Sequence, residues 1–418
     1  MQLDLFTHVA NAYGQAPDGQ LDNGSLYGEV ARRAGLSASA LNQRVPIGQD
    51  KALRSPVTRK IRWYQQTLKT LGLIEHVPGE RGIWQLTEEG KKKLHKAKPQ
   101  VALLAFSTDL GLAIWGSCED VFSRLDTPIA LCLSSPPYML RRARAYGNPA
   151  NSESEYVDFI CRVLEPIVKN LMAGGVVCLN ISNDIFLPGI PARSLYRERL
   201  VLALCDRLGL SKLDEVIWHN PSKPPSPIQW ASIQRVQLNS AWEPVYLFTN
   251  DPRCARPDNR RVLEPHTERH LKLMQTGGEN RRASFADGAY RIKPGNYAGV
   301  TPGRIPRNVL TRGHRCTDQE QYKIAARSLG LPVHGAVMPL SAARFFVDYL
   351  TLPDDLVVDP FGGSFTTAKA AELSGRRWLS TECMLEYARG AAERFHEASG
   401  FWLNPALANL HRRQPRAA

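Results

Sequence analysis

The sequence predicts an α/β protein with a largely parallel, doubly wound sheet, preceded by a small N-terminal domain. Apolar runs of strand length, such as 128–133 and 176–181, alternate with amphipathic stretches such as 155–171. This alternation is typical of strands buried between two layers of helices. Two apolar runs end in turns rich in proline or glycine, and ligands bind at such strand ends in open α/β sheets.

Length and composition limit the class of protein. The chain has 418 residues, of which 43% are hydrophobic, and this is enough for two or three globular domains. No apolar run approaches the roughly 20 residues of a membrane helix, and the N-terminus lacks the features of a signal peptide. The eight cysteines are scattered, without a Cys-x-x-Cys pair. We therefore expect a reduced, cytoplasmic protein without a membrane partner.

The net charge of +13 is concentrated in two segments. Residues 1–100 contain 15 basic and 9 acidic residues, and residues 251–315 contain 14 and 6. The rest of the chain is close to neutral. Phosphate-binding surfaces produce this distribution, although each segment taken alone is also compatible with a solvated charged face.

Residues 1–98 are predicted to form a winged-helix-like domain. Helices are expected at 24–36 and from about Ser55, followed by a hairpin over 73–86 and a helix over 87–95. Four basic residues near the start of the second helix could face phosphates: Arg54, Arg59, Lys60 and Arg62. Because the same fold also mediates protein contacts, DNA binding and protein binding both remain open for this domain.

The first apolar run leads into the loop Ser134-Ser135-Pro136-Pro137-Tyr138. Two consecutive prolines cannot extend a helix or a central strand, so the chain must leave the sheet there. The loop places a hydroxyl, rigid carbonyl groups and an aromatic ring at the end of a strand. This set suits a flat base with an exocyclic amine, which would donate to Ser135 and Pro136 while Tyr138 stacks on the ring. An ordinary strand-ending loop is the alternative.

A second motif lies near the C-terminus. An apolar strand over 356–359 is followed by a turn containing Gly362 and Gly363, then a helix through Leu373 and a strand ending at Glu382. Glycines let a ligand approach the backbone, and a helix N-terminus offers unpaired N–H groups. The carboxylate can accept hydrogen bonds from a ribose diol, as in dinucleotide-binding folds.

Together, in this order, the two motifs resemble those of the beta class of S-adenosylmethionine-dependent DNA amino-methyltransferases, over roughly 112–395. The loop resembles the family's [SD]-P-P-[YF] motif, and serine in its first position resembles the cytosine-N4 branch. The resemblance implies a Rossmann-like methyltransferase fold with four catalytic residues, Ser135, Pro136, Pro137 and Tyr138. It implies S-adenosyl-L-methionine as the cofactor, bound by Asp359, Pro360, Phe361, Gly362, Gly363, Ser364, Thr366 and Glu382.

One position departs clearly from the family pattern. Phe365 stands where the family usually has glycine, and we expect its bulk to reshape the methionine end of the cofactor pocket. Two alternatives accompany the cytosine-N4 prediction. One is an adenine-N6 methyltransferase, because both amines fit one kind of pocket and the distinction between serine and aspartate is not absolute. The other, which rests on Phe365, is a non-catalytic winged-helix DNA-binding protein with a degenerate methyltransferase body.

The resemblance also divides the chain. After the winged-helix-like domain, 99–250 is the catalytic part, 251–315 an irregular basic target-recognition region, 316–400 the cofactor-binding part and 401–418 a basic tail. Arginines could read guanines by bidentate hydrogen bonds. The predicted DNA contacts are Arg141, Arg142, Arg144, Trp218, Arg235, Arg281, Arg282, Arg304 and Arg307. Core packing is the alternative for Trp218. No metal is predicted, because no cysteine pair accompanies the histidines at 266 and 270.

The function implied is site-specific transfer of a methyl group to the exocyclic N4 amine of a cytosine flipped out of duplex DNA. Such chemistry requires no cysteine nucleophile, and the sequence has no Pro-Cys pair. The partners implied are double-stranded DNA and a cognate restriction endonuclease, in the cytoplasm and associated with the nucleoid.

Overall fold

The computed structural model describes residues 8–9, 12–13, 16, 19–47, 52–70, 74–87, 96–139, 150, 152–314, 316–335 and 337–408. Two main sheets organise this part of the chain, one of three strands and one of ten. The predicted α/β architecture with an additional N-terminal domain is confirmed. No helix in these ranges is long and apolar enough to span a membrane.

The N-terminal region combines short helices with a small antiparallel sheet. Its elements are β1 (Gln20–Asp22), α1 (Asn23–Arg33), α2 (Ala38–Asn42), β2 (Val45–Ile47), β3 (Ala52–Arg54), α3 (Pro56–Thr70), β4 (Ile74–His76) and β5 (Ile83–Leu86). The Asp22 side chain caps α1 by accepting from two backbone N–H groups. The sheet order β1-β5-β4 places the predicted hairpin beside β1, as in a winged helix. The helix predicted over 87–95 lies almost entirely outside the described residues.

The ten-stranded sheet carries the rest of the fold. Its ten strands are β6 (Ala102–Ser107), β7 (Gly111–Gly116), β8 (Ile129–Ser134), β9 (Leu171–Asn180), β10 (Ser211–His219), β11 (Trp242–Thr249), β14 (Val309–Thr311), β15 (Leu356–Asp359), β16 (Arg377–Glu382) and β17 (Trp402–Leu403). Two further strands, β12 (Ala283–Phe285) and β13 (Tyr290–Ile292), form a separate hairpin. The order is β14-β10-β11-β9-β8-β15-β16-β7-β6-β17. The five central strands, β9-β8-β15-β16-β7, are parallel.

Helices cover both faces of this sheet. They are α4 (Cys118–Phe122), α5 (Glu153–Lys169), α6 (Tyr196–Leu208), α7 (Glu268–Gln275), α8 (Thr317–Ser328), α9 (Leu340–Leu350), α10 (Thr366–Leu373) and α11 (Leu385–Ala392). Leu131 and Leu133 of β8 pack on the face of α9 and α10, whereas Cys132 packs on the face of α5. Burial on both faces explains why this strand is an unbroken apolar run.

The direction of winding reverses between β8 and β15. From β8 the chain passes through α5 to β9 on one side, and from β15 it passes through α10 to β16 on the other. Such a switch point leaves a crevice at the carboxyl ends of two adjacent strands. The two sequence motifs, although more than 200 residues apart, follow these two strands.

Two features of the fold differ from the sequence prediction. Strand β6, which pairs antiparallel with β7, was not predicted. Helix α5 ends at Lys169, so Leu171 belongs to β9 and not to the helix. Gly174 lies within β9, at φ +74°, near a register shift against β8. A Cβ there would lie 1.7 Å from the Cys254 carbonyl oxygen, so the close approach of this backbone requires glycine.

Candidate active site

A cavity of about 490 Å³ opens at the carboxyl ends of the parallel strands. It lies at the switch point, between the loop that follows β8 and the glycine turn that follows β15. All twelve residues predicted to be catalytic or cofactor-binding line it: Ser135, Pro136, Pro137, Tyr138, Asp359, Pro360, Phe361, Gly362, Gly363, Ser364, Thr366 and Glu382. The fold therefore brings the two motifs together at one site.

A buried hydrogen bond joins the two motifs directly. The Ser134 hydroxyl donates to Asp359 Oδ1 over 2.6 Å, because β8 and β15 are neighbours in the sheet. Asp359 Oδ1 also accepts from the Phe361 backbone N–H at 3.0 Å. Burial raises the pKa of Asp359 to about 6, in spite of these bonds. Ser134, which was not predicted as a site residue, thus helps fix one motif against the other.

The glycine turn forms one wall of the cavity. Gly363 has φ +53°, and a Cβ there would lie 3.2 Å from the His334 ring. Its backbone N–H donates to Glu382 Oε2 over 2.7 Å, and Glu382 Oε1 accepts from the Met384 N–H over 2.7 Å. Burial raises the pKa of Glu382 to about 7. A side chain at 363 would thus be strained by the positive φ and would crowd the His334 ring, so the turn favours glycine here.

The cavity fits the parts of S-adenosylmethionine. The Glu382 carboxylate is a buried acceptor at a strand end, suited to ribose hydroxyls. The Phe361 and Phe159 rings, with centroids 5.8 Å apart, offer an apolar surface for a flat base. The start of α10, with Ser364 and Thr366, contributes polar groups to the cavity wall. Phe159, which lies on α5 within the amphipathic stretch 155–171, was not predicted as a site residue.

Phe365 does not reshape this cavity, contrary to the sequence expectation. Its backbone is left-handed, with φ +58° and ψ +38°, and its side chain is fully buried. The ring packs 5.3 Å from that of Phe106, on the sheet face covered by α9, α10 and α11. The turn directs this side chain into the core. Phe365 therefore no longer supports the alternative of a non-catalytic DNA-binding protein with a degenerate methyltransferase body.

The loop 135–138, predicted to be catalytic and called the catalytic loop below, presents its polar groups to the cavity. Ser135 and Tyr138 are partly exposed, and Ser135 Oγ lies 3.1 Å from Tyr138 Oη. Both hydroxyls also contact the buried side chain of Asn180, at 3.3 and 3.2 Å. Asn180 was missed as a site residue. The available signal was a single amide at the end of an otherwise apolar strand.

The predicted DNA contacts have different surroundings. Arg235, Arg282 and Arg307 are exposed. Arg281 and Arg304 are also exposed but form ion pairs with Glu279 and Glu264, at 3.1 and 2.7 Å. The remaining three arginines, at 141, 142 and 144, lie outside the described residues.

Trp218 is a correction to the predicted DNA contacts. Its side chain is 3% exposed, and its Nε1–H donates to the Arg312 carbonyl oxygen over 2.9 Å. An indole that is both buried and hydrogen-bonded is not available to a base. Core packing, the alternative stated for this residue, is what the structure favours.

Residues 251–315, predicted to form an irregular target-recognition region, are less irregular than predicted, since they contain α7 and the β12–β13 hairpin. The His266 and His270 rings lie 4.7 Å apart, and His266 Nε2 lies 2.9 Å from the Thr301 hydroxyl. Within the described ranges, no group of three or more His, Cys, Asp or Glu residues is arranged to hold a metal ion.

A doubly wound sheet with a proline-tyrosine loop and a glycine turn at its switch point defines an S-adenosylmethionine-dependent methyltransferase. Residues 129–393 match the family described as DNA methylase, and residues 7–96 match the Mrr N-terminal domain. The chain belongs to the DNA methylase family.

Individual relatives agree with this assignment. The type II methyltransferase M.PvuII of Proteus hauseri is 32% identical over 292 residues, covering 70% of this chain and 85% of the relative. M.BamHI of Bacillus amyloliquefaciens is 21% identical over 296 residues, covering 66% and 55%. A solved structure of the PvuII DNA methyltransferase, described as cytosine-N4-specific, superposes with a TM-score of 0.54 at 27% identity, covering 73% of this chain and 92% of that one.

The pH dependence of cofactor binding tests the place of Glu382. Ribose hydroxyls donate hydrogen bonds, so an ionised Glu382 should bind them better than the neutral acid. With a pKa of about 7, we expect affinity for S-adenosylmethionine to rise between about pH 6 and pH 8. Isothermal titration calorimetry across this range measures it. Glu382→Gln should weaken binding and remove the rise, and an unchanged pH dependence in this variant would contradict the placement.

The same carboxyl acts in the opposite direction on ligand-free stability. The pKa of Glu382 is higher in the folded chain than in the unfolded chain. Its contribution to the free energy of unfolding is therefore fully present below about pH 4.5 and is lost as the pH rises through about 7. Binding and stability should therefore show opposite trends with pH from this one group.

Proposed function

We propose that this protein transfers a methyl group from S-adenosylmethionine to the N4 amine of a flipped cytosine in duplex DNA. The observation that carries the proposal is the Ser135-Pro136-Pro137-Tyr138 loop, which lies on the same cavity as the glycine turn and Glu382. A serine, and not an aspartate, begins this loop. The similarity to M.PvuII, whose solved structure is described as cytosine-N4-specific, supports the same base.

The proposed mechanism depends on positioning. The cytosine amine is a poor nucleophile because its lone pair is delocalised into the ring. Hydrogen bonds from the amine to Ser135 Oγ and the Pro136 carbonyl would localise that lone pair on nitrogen, while Tyr138 stacks on the ring and holds it in line. The bound cofactor supplies the sulfonium methyl: the N–CH3 bond would form as the S–CH3 bond breaks, S-adenosylhomocysteine would leave, and the amine would release one proton to water. Orientation and fixed dipoles then lower the barrier without covalent catalysis.

The proposed cofactor contacts are those of the cavity wall. Glu382 would accept from the ribose, Phe361 would pack on the adenine, and the Gly362-Gly363 turn would allow close approach. Asp359 and Pro360 would hold the turn, and Ser364 and Thr366 would face the methionine end. The domain boundaries at 98, 250, 315 and 400 belong to the same proposal.

The proposed DNA surface can be tested by salt dependence. Arg282 and Arg307 are exposed, so each should neutralise about one phosphate. We expect each alanine substitution to lower the slope of log K against log salt by about 1. Arg281→Ala and Arg304→Ala are matched controls with smaller expected effects, because their ion pairs with glutamate already offset the charge. Equal slopes for all four variants and the wild type would contradict this surface.

The N-terminal domain offers a second basic surface. On α3, Arg59, Lys60 and Arg62 are exposed, and the helix contains no acidic residue. We propose that this face contacts phosphates and strengthens the binding of duplex DNA. A cognate restriction endonuclease is proposed as the functional counterpart, because methylation of its site would block cleavage.

The direct test of the proposed reaction is transfer of label from methyl-labelled S-adenosylmethionine to mixed-sequence duplex DNA. Incorporation should reach a plateau set by the number of recognition sites, and a second addition of enzyme should add nothing. Incorporation that never saturates, or none at all, would argue against site-specific methylation.

A further inference from the structure

A polar network lies behind the catalytic loop, where β9 ends beside β11. Asn180 is 2% exposed, and its Oδ1 faces the Ser135 and Tyr138 hydroxyls at 3.3 and 3.2 Å. Its Nδ2 donates to the Pro244 carbonyl oxygen at 3.3 Å and to Glu243 Oε2 at 3.4 Å. Neither Asn180 nor Glu243 lines the cavity. Among the described residues, they reach the site through their contacts with Ser135 and Tyr138.

The chemistry of these groups fixes the direction of each hydrogen bond. A backbone carbonyl can only accept, so the Asn180 Nδ2 must face Pro244, and its Oδ1 must face the two hydroxyls. A carboxylate also only accepts, and Glu243 Oε2 lies 3.5 Å from Tyr138 Oη. The Tyr138 hydrogen is thus drawn to Asn180 or Glu243.

The Ser135 hydroxyl hydrogen also points away from the cavity, for the same reason. Its hydroxyl can donate to Asn180 Oδ1 or to Tyr138 Oη, which lies 3.1 Å away. In either arrangement the lone pairs of Ser135 Oγ are left for the cavity. A Ser135 that donated instead would bind the lone pair of the target amine, the pair that must attack the methyl group.

An ion pair holds Glu243 in this position. Lys223 Nζ lies 3.3 Å from Glu243 Oε1 and 3.1 Å from Asp184 Oδ2. The three side chains are only 15–19% exposed. Asp184 also accepts from Ser240 and pairs with Arg193 at 3.2 Å, so Lys223 is itself fixed. The other oxygen of Glu243 is thereby directed toward Asn180 and Tyr138.

We propose that Glu243, held by Lys223, is a positioning residue for methyl transfer. Through Asn180 and Tyr138 it directs the hydrogens of the Ser135 and Tyr138 hydroxyls away from the cavity. Ser135 Oγ can then accept a hydrogen bond from the target amine. This inference rests on the proposed function, because it concerns the amine that the catalytic loop receives.

The substitution Glu243→Gln tests this role with little change in shape. The amide nitrogen that it introduces donates, which can reverse the bonds to Tyr138 and Asn180. We expect kcat to fall about 10- to 100-fold, while the KM for DNA and the Kd for S-adenosylmethionine stay within about twofold. The matched control is Glu215→Gln on the adjacent strand β10, where Glu215 pairs with Lys212 at 2.8 Å. This control should keep the wild-type kcat.

A second pair of variants covers the case in which Glu243→Gln folds poorly. Lys223→Met should also lower kcat with little change in KM, whereas Lys212→Met should not. A wild-type kcat in Glu243→Gln, or in a folded Lys223→Met, would overturn the inference, as would a loss explained by weaker binding of cofactor or DNA. If the wild-type protein itself yields no N4-methylcytosine, the proposed function fails, and not this inference alone.

Discussion

Replacing Ser135 with alanine is expected to lower kcat for methyl transfer by about 10²- to 10³-fold, with cofactor affinity nearly unchanged. The hydroxyl is the group that would accept from the target amine, and removal of one oriented hydrogen-bonding group from an active site costs rate by this factor. The proposed cofactor contacts, at Gly363 and Glu382, lie on the other wall of the cavity. Binding of S-adenosylmethionine should therefore persist.

Single-turnover kinetics with labelled cofactor measure the rate, and calorimetry measures the affinity. Tyr138→Ala should behave in the same way, because it removes the ring that would stack on the base. The control is Ser123→Ala, because the Ser123 hydroxyl donates to the Asp120 carbonyl oxygen near the end of α4. Activity that survives both substitutions in the loop would show that the catalytic assignment is wrong.

Replacing Phe365 with glycine is expected to destabilise the protein by about 2–3 kcal/mol. Two effects oppose each other. Glycine relieves a left-handed backbone, which costs other residues about 1–2 kcal/mol, but it removes a fully buried aromatic side chain, which is worth about 3–5 kcal/mol. The loss of the buried ring is the larger effect. Introducing the glycine that the family usually has should therefore lower the free energy of unfolding of this protein.

Urea unfolding monitored by circular dichroism measures this difference. Asp354→Gly is the matched control, since Asp354 is also left-handed, at φ +65°, but exposed. The free energy of unfolding of Asp354→Gly should differ from that of the wild type by less than about 1 kcal/mol. An increase in stability on Phe365→Gly would contradict the packing of the Phe365 ring in the core. A large change in the cofactor affinity of the folded variant would show that Phe365 shapes the cofactor pocket.

Local sequence patterns were sufficient for the parallel sheet, and the family resemblance supplied the twelve residues that line the cavity. The strands β8 and β15 are short apolar runs that end in residues unable to continue a sheet, so both their position and their ends could be predicted. The switch point then follows from topology, because both motifs succeed neighbouring parallel strands. Sequence resemblance supplied the order of the motifs and the identity of the cofactor.

The errors and omissions have a common physical cause. The direction in which Phe365 points depends on a left-handed turn, and the burial of Trp218 depends on the backbone at Arg312. Asn180 and Glu243 meet only because β9 pairs with β11. Contacts of this kind arise from tertiary structure between distant segments, and no local pattern predicts them.

The nucleoside product is the most direct test of the central proposal. Duplex DNA methylated with labelled S-adenosylmethionine would be digested to nucleosides, and the labelled species identified by mass spectrometry. The loop beginning with Ser135 predicts N4-methylcytosine. N6-methyladenine would keep the fold and the geometry of transfer but contradict the base assignment, and the absence of any labelled nucleoside would contradict the proposed activity itself.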